Sequence, residues 1–277
     1  MSEDLSHITP APWDTLKRFT RARIALGRAG HSLPTVAHLG FQLAHAQARD
    51  AVHLPLDAAS VAQALAPTGL PVLQLQSAAP DRATYLQRPD LGRKLDDASR
   101  TLLQSQDAAQ LDLDLVFVVA DGLSALAIHQ NAAPLVAAAV ARLRADTAKP
   151  WTLAPICVVQ QGRVAVGDDA GGALRARAVV VLIGERPGLS SPDSLGVYIS
   201  WNPNVGLNDA QRNCISNVRP EGLPIEAAAD KLVYLLGRAR TLQLTGIALK
   251  DDSDDSLLEA GSGALQLEKS GDLWRAT

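Results

Sequence analysis

The residues with the most evident chemistry fall between positions 176 and 217. Six apolar residues, Ala178-Val179-Val180-Val181-Leu182-Ile183, run directly into Gly184-Glu185-Arg186-Pro187-Gly188. A carboxylate at the end of such a run can serve as a general base, a metal ligand or an acceptor for ligand N–H groups, or it can pair with Arg186. One acid with no second acid, histidine or nucleophile close in sequence is weak support for catalysis. Ser190, Ser191 and Ser194 follow in the same loop but lack the G-x-S-x-G elbow. Cys214, in Asn213-Cys214-Ile215, is another candidate nucleophile, yet no histidine lies between His129 and Cys214 or after it. Free cysteines more often act as small buried hydrophobes. Asp121-Gly122 reads equally as a weak site signal or an ordinary turn. His31, His38 and His45 recur every seven residues and share one side of a helix. A metal reading would need i,i+4 neighbours or a further ligand nearby, so a helix–helix seam or an interface is favoured, and other metal-spacing motifs are absent. Residues 81–95 hold Arg82, Arg88 and Arg93 with Asp81 and Asp90; anion binding and structural ion pairs both fit, and composition favours ion pairs. Many ligand-facing polar groups without an assembled catalytic set favour a binding subunit over a stand-alone enzyme.

These groups need a scaffold, and the apolar pattern supplies one. The run 178–183 is β-branched-rich and does not alternate, which predicts a strand buried on both faces. Further strands are predicted over 113–119, 150–159 and 197–201, a short one at 72–75, and a third short element at 162–167. Helices are predicted over 95–106, 125–144 and 224–240, with a short helix or turn at 168–174. This βαβ rhythm predicts an α/β fold with a Rossmann-like, mostly parallel sheet and flanking helices. Ligands in such sheets sit outside the carboxyl ends of strands, where Glu185 and Asp121 fall. No G-x-G-x-x-G is present, so a dinucleotide site has no fingerprint.

Residues 11–53 read as helical. Trp13, Leu16, Phe19 and Ile24 follow helical spacing; Gly27-Arg28-Ala29-Gly30 stops that helix; and Ser32 with Pro34 opens the next. The expected organisation is a smaller helical N-terminal region over 1–85, an α/β domain over 86–250 and a peripheral tail over 251–277, with a small strand at 264–268. The 277 residues are enough for a sizeable core. Apolar content of 47% and charged content of 20% fit a soluble globular chain. A net charge of −3 with no long basic run gives nucleic-acid binding no electrostatic support. No apolar stretch is long enough for a membrane span, and residues 1–10 carry no secretory h-region. Cys157 and Cys214 read as free thiols in a reducing compartment.

Several segments in order carry a resemblance. They are Gly27-Arg28-Ala29-Gly30; Tyr85-Leu86 with Arg88-Pro89-Asp90-Leu91-Gly92-Arg93-Lys94-Leu95; Asp121-Gly122-Leu123-Ser124; Gly162-Arg163-Val164; Gly184-Glu185-Arg186-Pro187-Gly188-Leu189; and Cys214-Ile215-Ser216-Asn217. Together they resemble the small (light) subunit of ethanolamine ammonia-lyase, an adenosylcobalamin-dependent lyase. The resemblance implies that 86–250 contacts cobalamin through Val164, Glu185 and Cys214. It implies a large TIM-barrel subunit that holds ethanolamine and carries out the radical chemistry yielding acetaldehyde and ammonia, in a hetero-oligomer in which the small subunit is not active alone. It implies no protein metal ligand here: cobalt keeps its own dimethylbenzimidazole. Microcompartment-associated members often carry a longer N-terminal extension than this chain, so a bacterial microcompartment and the cytoplasm both stay open. The readings of a different class are an autonomous α/β hydrolase using Cys214 or a serine, and a scaffold subunit without cofactor contact.

Overall fold

The structure, a computed structural model, describes residues 8–105 and 112–253. Two helices, α1 (Thr35–His53) and α2 (Ala58–Leu65), precede strand β1 (Val72–Gln76). Then come α3 (Arg82–Gln87), α4 (Asp97–Gln104), β2 (Leu115–Ala120), α5 (Ala125–Ala145), β3 (Ile156–Gln160), α6 (Val166–Ala173) and β4 (Ala178–Gly184). The chain continues through β5 (Leu195–Trp201), β6 (Asn213–Val218) and α7 (Ile225–Leu242).

The strands form one six-stranded sheet in the order β1-β3-β2-β4-β5-β6. The β1–β3, β3–β2 and β2–β4 pairings are parallel, and β5 runs antiparallel to both β4 and β6. The predicted mostly parallel α/β sheet is therefore present. β1, predicted inside the N-terminal region, is its edge strand, so the sheet begins before residue 86.

Strand alternation explains the unbroken apolar runs. In β2, Leu115, Phe117 and Val119 join one core while Val116, Val118 and Ala120 join the other. In β4, Ala178, Val180 and Leu182 face the first core, and Val179, Val181 and Ile183 the second. α2, α5 and α7 pack on the first face, with Leu65, Leu135 and Leu236 wholly buried there. α4 and α6 build the second core with Leu103, Val166 and Ala170. β5 and β6 behave differently. Leu195, Val197, Ile199, Ile215 and Val218 enter the first core, beneath α5 and α7. On the second face Cys214 and Ser216 are exposed.

Sequence expectations give way in several places. Residues 13–24 do not form an α-helix: only Asp14–Phe19 winds, as a 3-10 turn with no buried residue. An apolar stripe with no core to meet lacks the packing that stabilises most protein helices. Ser32 does not cap α1; its backbone bridges to Ala29, and Pro34 is the N-cap. The short element expected over 162–167 is a turn through 162–165 that leads into α6 at Val166. β3 spans Ile156–Gln160, a shorter strand than the pattern suggested. β6 was not anticipated as a strand. The strand expected at 264–268 lies outside the described residues. Among the described residues, no helix is long and apolar enough to cross a membrane.

Candidate functional site

The carboxyl ends of β2 and β4 meet backbone to backbone. Gly122 takes φ +56°, and a Cβ there would collide with the Gly184 carbonyl, so the Asp121-Gly122 turn admits little else. The Leu123 N–H donates to the Gly184 carbonyl at 2.9 Å. Ser124 caps α5 by accepting from the Ala127 N–H, and its hydroxyl donates to the Pro192 carbonyl at 2.7 Å. Asn131 on α5 donates to the Asp193 carbonyl, and Arg219 beyond β6 donates to Ser190 O and Asp193 Oδ1. The loop over 185–194 is thus held from two sides of the sheet edge rather than hanging free.

That clamping fixes Glu185. Its N–H donates to the Ser194 carbonyl at 3.0 Å, and the Ser194 hydroxyl donates to its Oε2 in a short hydrogen bond. The half-buried side chain lies across β5 at Gly196. A Cβ at Gly196 would stand 3.0 Å from Glu185 Oε1 and 3.3 Å from Tyr198 Cε2, so the missing side chain leaves the carboxylate its place.

Cys214 reaches the same face from β6. It pairs with Tyr198, which pairs with Val181 of the second core, so the three side chains project to one side of the sheet. Cys214 is exposed and 3.3 Å from the Ser216 hydroxyl. A register shift between β5 and β6 marks a bulge beside it, where Asn217 adopts a left-handed φ of 58°. Burial, then the Cys214 thiol, then the Glu185 carboxylate push the Tyr198 phenol well above its usual range. Glu185 and Cys214 therefore share Tyr198 as a neighbour.

Val164 packs half-buried against the second core but lines a different recess. It sits in the turn before α6, at a groove of about 640 Å³ shared with Asp90, Arg93, Lys94, Leu207 and Arg212. Behind that groove Arg212 grips Asp168 with Nη1 and Nη2 at 2.6 and 2.7 Å and also donates to Ser200. Burial pushes the Asp168 carboxyl up, and the guanidinium pulls it back down. This pair ties the start of β6 to α6. Arg93 and Lys94 are presented by a segment tied to the Val164 turn, since the Arg163 N–H donates to the Gly92 carbonyl at 2.7 Å. The Arg82 and Arg163 guanidiniums lie over the Tyr85 ring at 4.8 and 4.4 Å, and Tyr85 donates to Gly162 O. Two of the arginines at 81–95 do make ion pairs, Arg88 with Asp90 and Arg82 with Asp121.

Asp121 is a buried brace. It accepts from the Gly162 N–H at 3.0 Å, and burial raises its carboxyl to about 6 against the pull of Arg82. Cys157 is enclosed in β3, where burial pushes the thiol up to about 12. Among the described residues, no histidine hydrogen-bonds Cys214 or a serine; His38 is bonded to Gln42 and His129 accepts from the Asp57 N–H. No group of His, Cys, Asp and Glu there is arranged to hold a metal ion. Sequence reasoning missed Tyr198 and Arg212. Gly196, two positions before Tyr198 and so on the same strand face, was the available signal; Arg212 offered none, because its partner lies 44 residues away.

The family model described as ethanolamine ammonia-lyase light chain (EutC) matches residues 10–250. A curated relative from Ralstonia nicotianae, named ethanolamine ammonia-lyase small subunit, is 58% identical over 255 residues, covering 92% of this chain and 93% of its own. Relatives of the same name from Azotobacter vinelandii and Pseudomonas syringae pv. tomato are 57% and 55% identical, covering 94% and 95% of this chain and 96% and 92% of theirs. With ordered motifs at the strand ends and a match across nearly the whole chain, this protein belongs to the ethanolamine ammonia-lyase light-chain (small-subunit) family.

Proposed function

We propose that this chain is the small subunit of an adenosylcobalamin-dependent ethanolamine ammonia-lyase, in which it helps to enclose cobalamin against a large TIM-barrel subunit that binds ethanolamine. The observation that carries the reading is the half-covered end of the sheet. Glu185 is pinned there as an acceptor by the Ser194 hydroxyl, Cys214 is exposed, and among the described residues no histidine hydrogen-bonds Cys214 or a serine. Such a surface binds and orients; it does not turn over substrate alone.

The side chains suit a corrin rim. Its primary carboxamides need acceptors for their N–H bonds, and an anchored carboxylate is a strong one. Val164 offers an apolar contact and backbone groups, and Cys214 a small, polarisable surface. When bound, the cofactor supplies the adenosyl radical that starts the conversion of ethanolamine to acetaldehyde and ammonia. The contribution of this chain is to position the rim and to exclude water from one side of it.

A second feature supports docking on a large subunit. Trp13, Phe19, Val36, Leu39 and Leu43 are 56–79% exposed, and α1 buries only Ala44 and Ala51. Exposed apolar residues concentrated in one region mark an interaction site. Whether the complex resides in the cytoplasm or in a bacterial microcompartment, the same surfaces serve.

The test is co-expression with the large subunit, copurification, and a cobalamin absorption spectrum of the complex. We expect association and adenosylcobalamin-dependent deamination of ethanolamine, with Glu185→Ala weakening cobalamin binding by about 1–3 kcal/mol. A folded, associated complex without activity would refute the assignment. Turnover by the isolated chain that Cys214→Ala abolishes would favour the hydrolase. An active complex whose cobalamin affinity ignores Glu185→Ala would favour the scaffold.

A further inference from the structure

On the open face of β5, Glu185 and Tyr198 are brought together by Gly196, whose absent side chain leaves room for both. The two groups have opposite hydrogen-bonding character. The carboxylate only accepts; one of its oxygens is taken by the Ser194 hydroxyl, and the other lies over Gly196. The phenol is a donor, half-buried, set opposite Cys214 on β6. Its surroundings disfavour ionisation, through burial first and then the Cys214 thiol, so it keeps its proton across the physiological range. Ser194 is itself buried and its backbone is paired with Glu185, so the acceptor is fixed in direction as well as place.

A primary carboxamide presents N–H donors on one side and a carbonyl acceptor on the other. We infer that Glu185 and Tyr198 together form a carboxamide clamp, Glu185 accepting an amide N–H and Tyr198 donating to the same amide's carbonyl, so that Tyr198 is a binding and specificity residue for the cofactor rim. The inference rests on the reading of this face as the one turned to cobalamin. It adds a consequence that reading lacks. A rim carboxylate in place of the amide has no N–H for Glu185 and carries a like charge toward it, so the site rejects the hydrolysed analogue. Unpaired buried polar groups make such rejection stronger than the loss of an apolar contact.

The experiment is equilibrium dialysis of the assembled two-subunit complex with cyanocobalamin and, separately, with its isolated monocarboxylic acid isomers, in which one side-chain amide is hydrolysed. The wild-type complex is expected to bind at least one isomer about tenfold or more weaker than cyanocobalamin. Tyr198→Phe is expected to weaken cyanocobalamin binding about tenfold with assembly and thermal unfolding unchanged. Glu185→Gln, whose amide can donate to a carboxylate, is expected to narrow the gap for the rejected isomer. Equal wild-type affinity for cyanocobalamin and every isomer overturns the clamp without any variant. Glu185→Ala weakening binding while Tyr198→Phe does not also overturns it, and leaves the cofactor-facing reading standing. If neither substitution changes cyanocobalamin binding, that reading falls and the clamp with it.

Discussion

β4 and β6 flank β5 and run in the same direction, yet they serve opposite purposes. Every residue of β4 is buried, and its apolar side chains from Ala178 to Ile183 divide between two cores. β6 buries Ile215 and Val218 on one side and leaves Cys214 and Ser216 exposed on the other. The enclosed strand gains stability from burial on both faces. The half-covered strand gives up part of that gain and keeps side chains that a ligand can reach. Glu185 stands at the junction: its backbone continues the enclosed strand, and its carboxylate turns onto the open face. A fixed scaffold and an accessible surface are thus separated by a single strand, β5.

The largest expected effect comes from cutting the tie between the two halves. Arg212→Ala leaves Asp168 buried and unpaired, and breaking such a pair costs about 3–5 kcal/mol. Chemical denaturation should register that loss. Because Arg212 holds the start of β6, cobalamin binding should fall with it, whereas a stability loss that spares cobalamin binding would mean that the open half does not depend on the enclosed one.

A smaller effect sharpens the account of the enclosed half. The Asp121 carboxyl is raised from 3.8 to about 6 in the fold. A raised acid binds its proton more tightly when folded, so its contribution is most favourable below the unfolded value. That contribution is lost as pH climbs through the folded one. Between pH 3.8 and about 6, the wild-type stability relative to Asp121→Asn should therefore fall with rising pH, by about 2–3 kcal/mol. Denaturation midpoints of both proteins across that range provide the check.

The smallest stability effect is expected in the N-terminal region. Leu39 on α1 is 56% exposed, so Leu39→Glu should change stability by less than about 0.5 kcal/mol. The same substitution should weaken association with the large subunit, as read by analytical ultracentrifugation of the mixture.

The contrast also explains what was legible in the sequence. β2 and β4 stood out because burial on both faces writes a continuous apolar run, and α5 and α7 because their length keeps the helical period. β6 did not, since covering on one side leaves Ile215 as an isolated apolar residue and the bulge at Asn217 breaks the alternation before Val218. Residues 13–24 misled in the other direction: their helical spacing is real, but the turn that does wind, Asp14–Phe19, buries none of its residues among the described residues. Of the site, Glu185 was readable as an acid at a strand end. Its nearness to Cys214 was implied only by the family resemblance, and Tyr198 between them was not legible, because cross-strand register decides it.

The two cysteines offer the most direct test of the central claim, that the open face is turned to the cofactor. In the assembled complex without cofactor, maleimide labelling followed by mass spectrometry of the Cys214 and Cys157 peptides should modify Cys214, which is exposed in this chain alone, and spare buried Cys157. Saturating cobalamin should then protect Cys214 and leave Cys157 unchanged. Equal labelling of Cys214 with and without bound cobalamin would contradict the account.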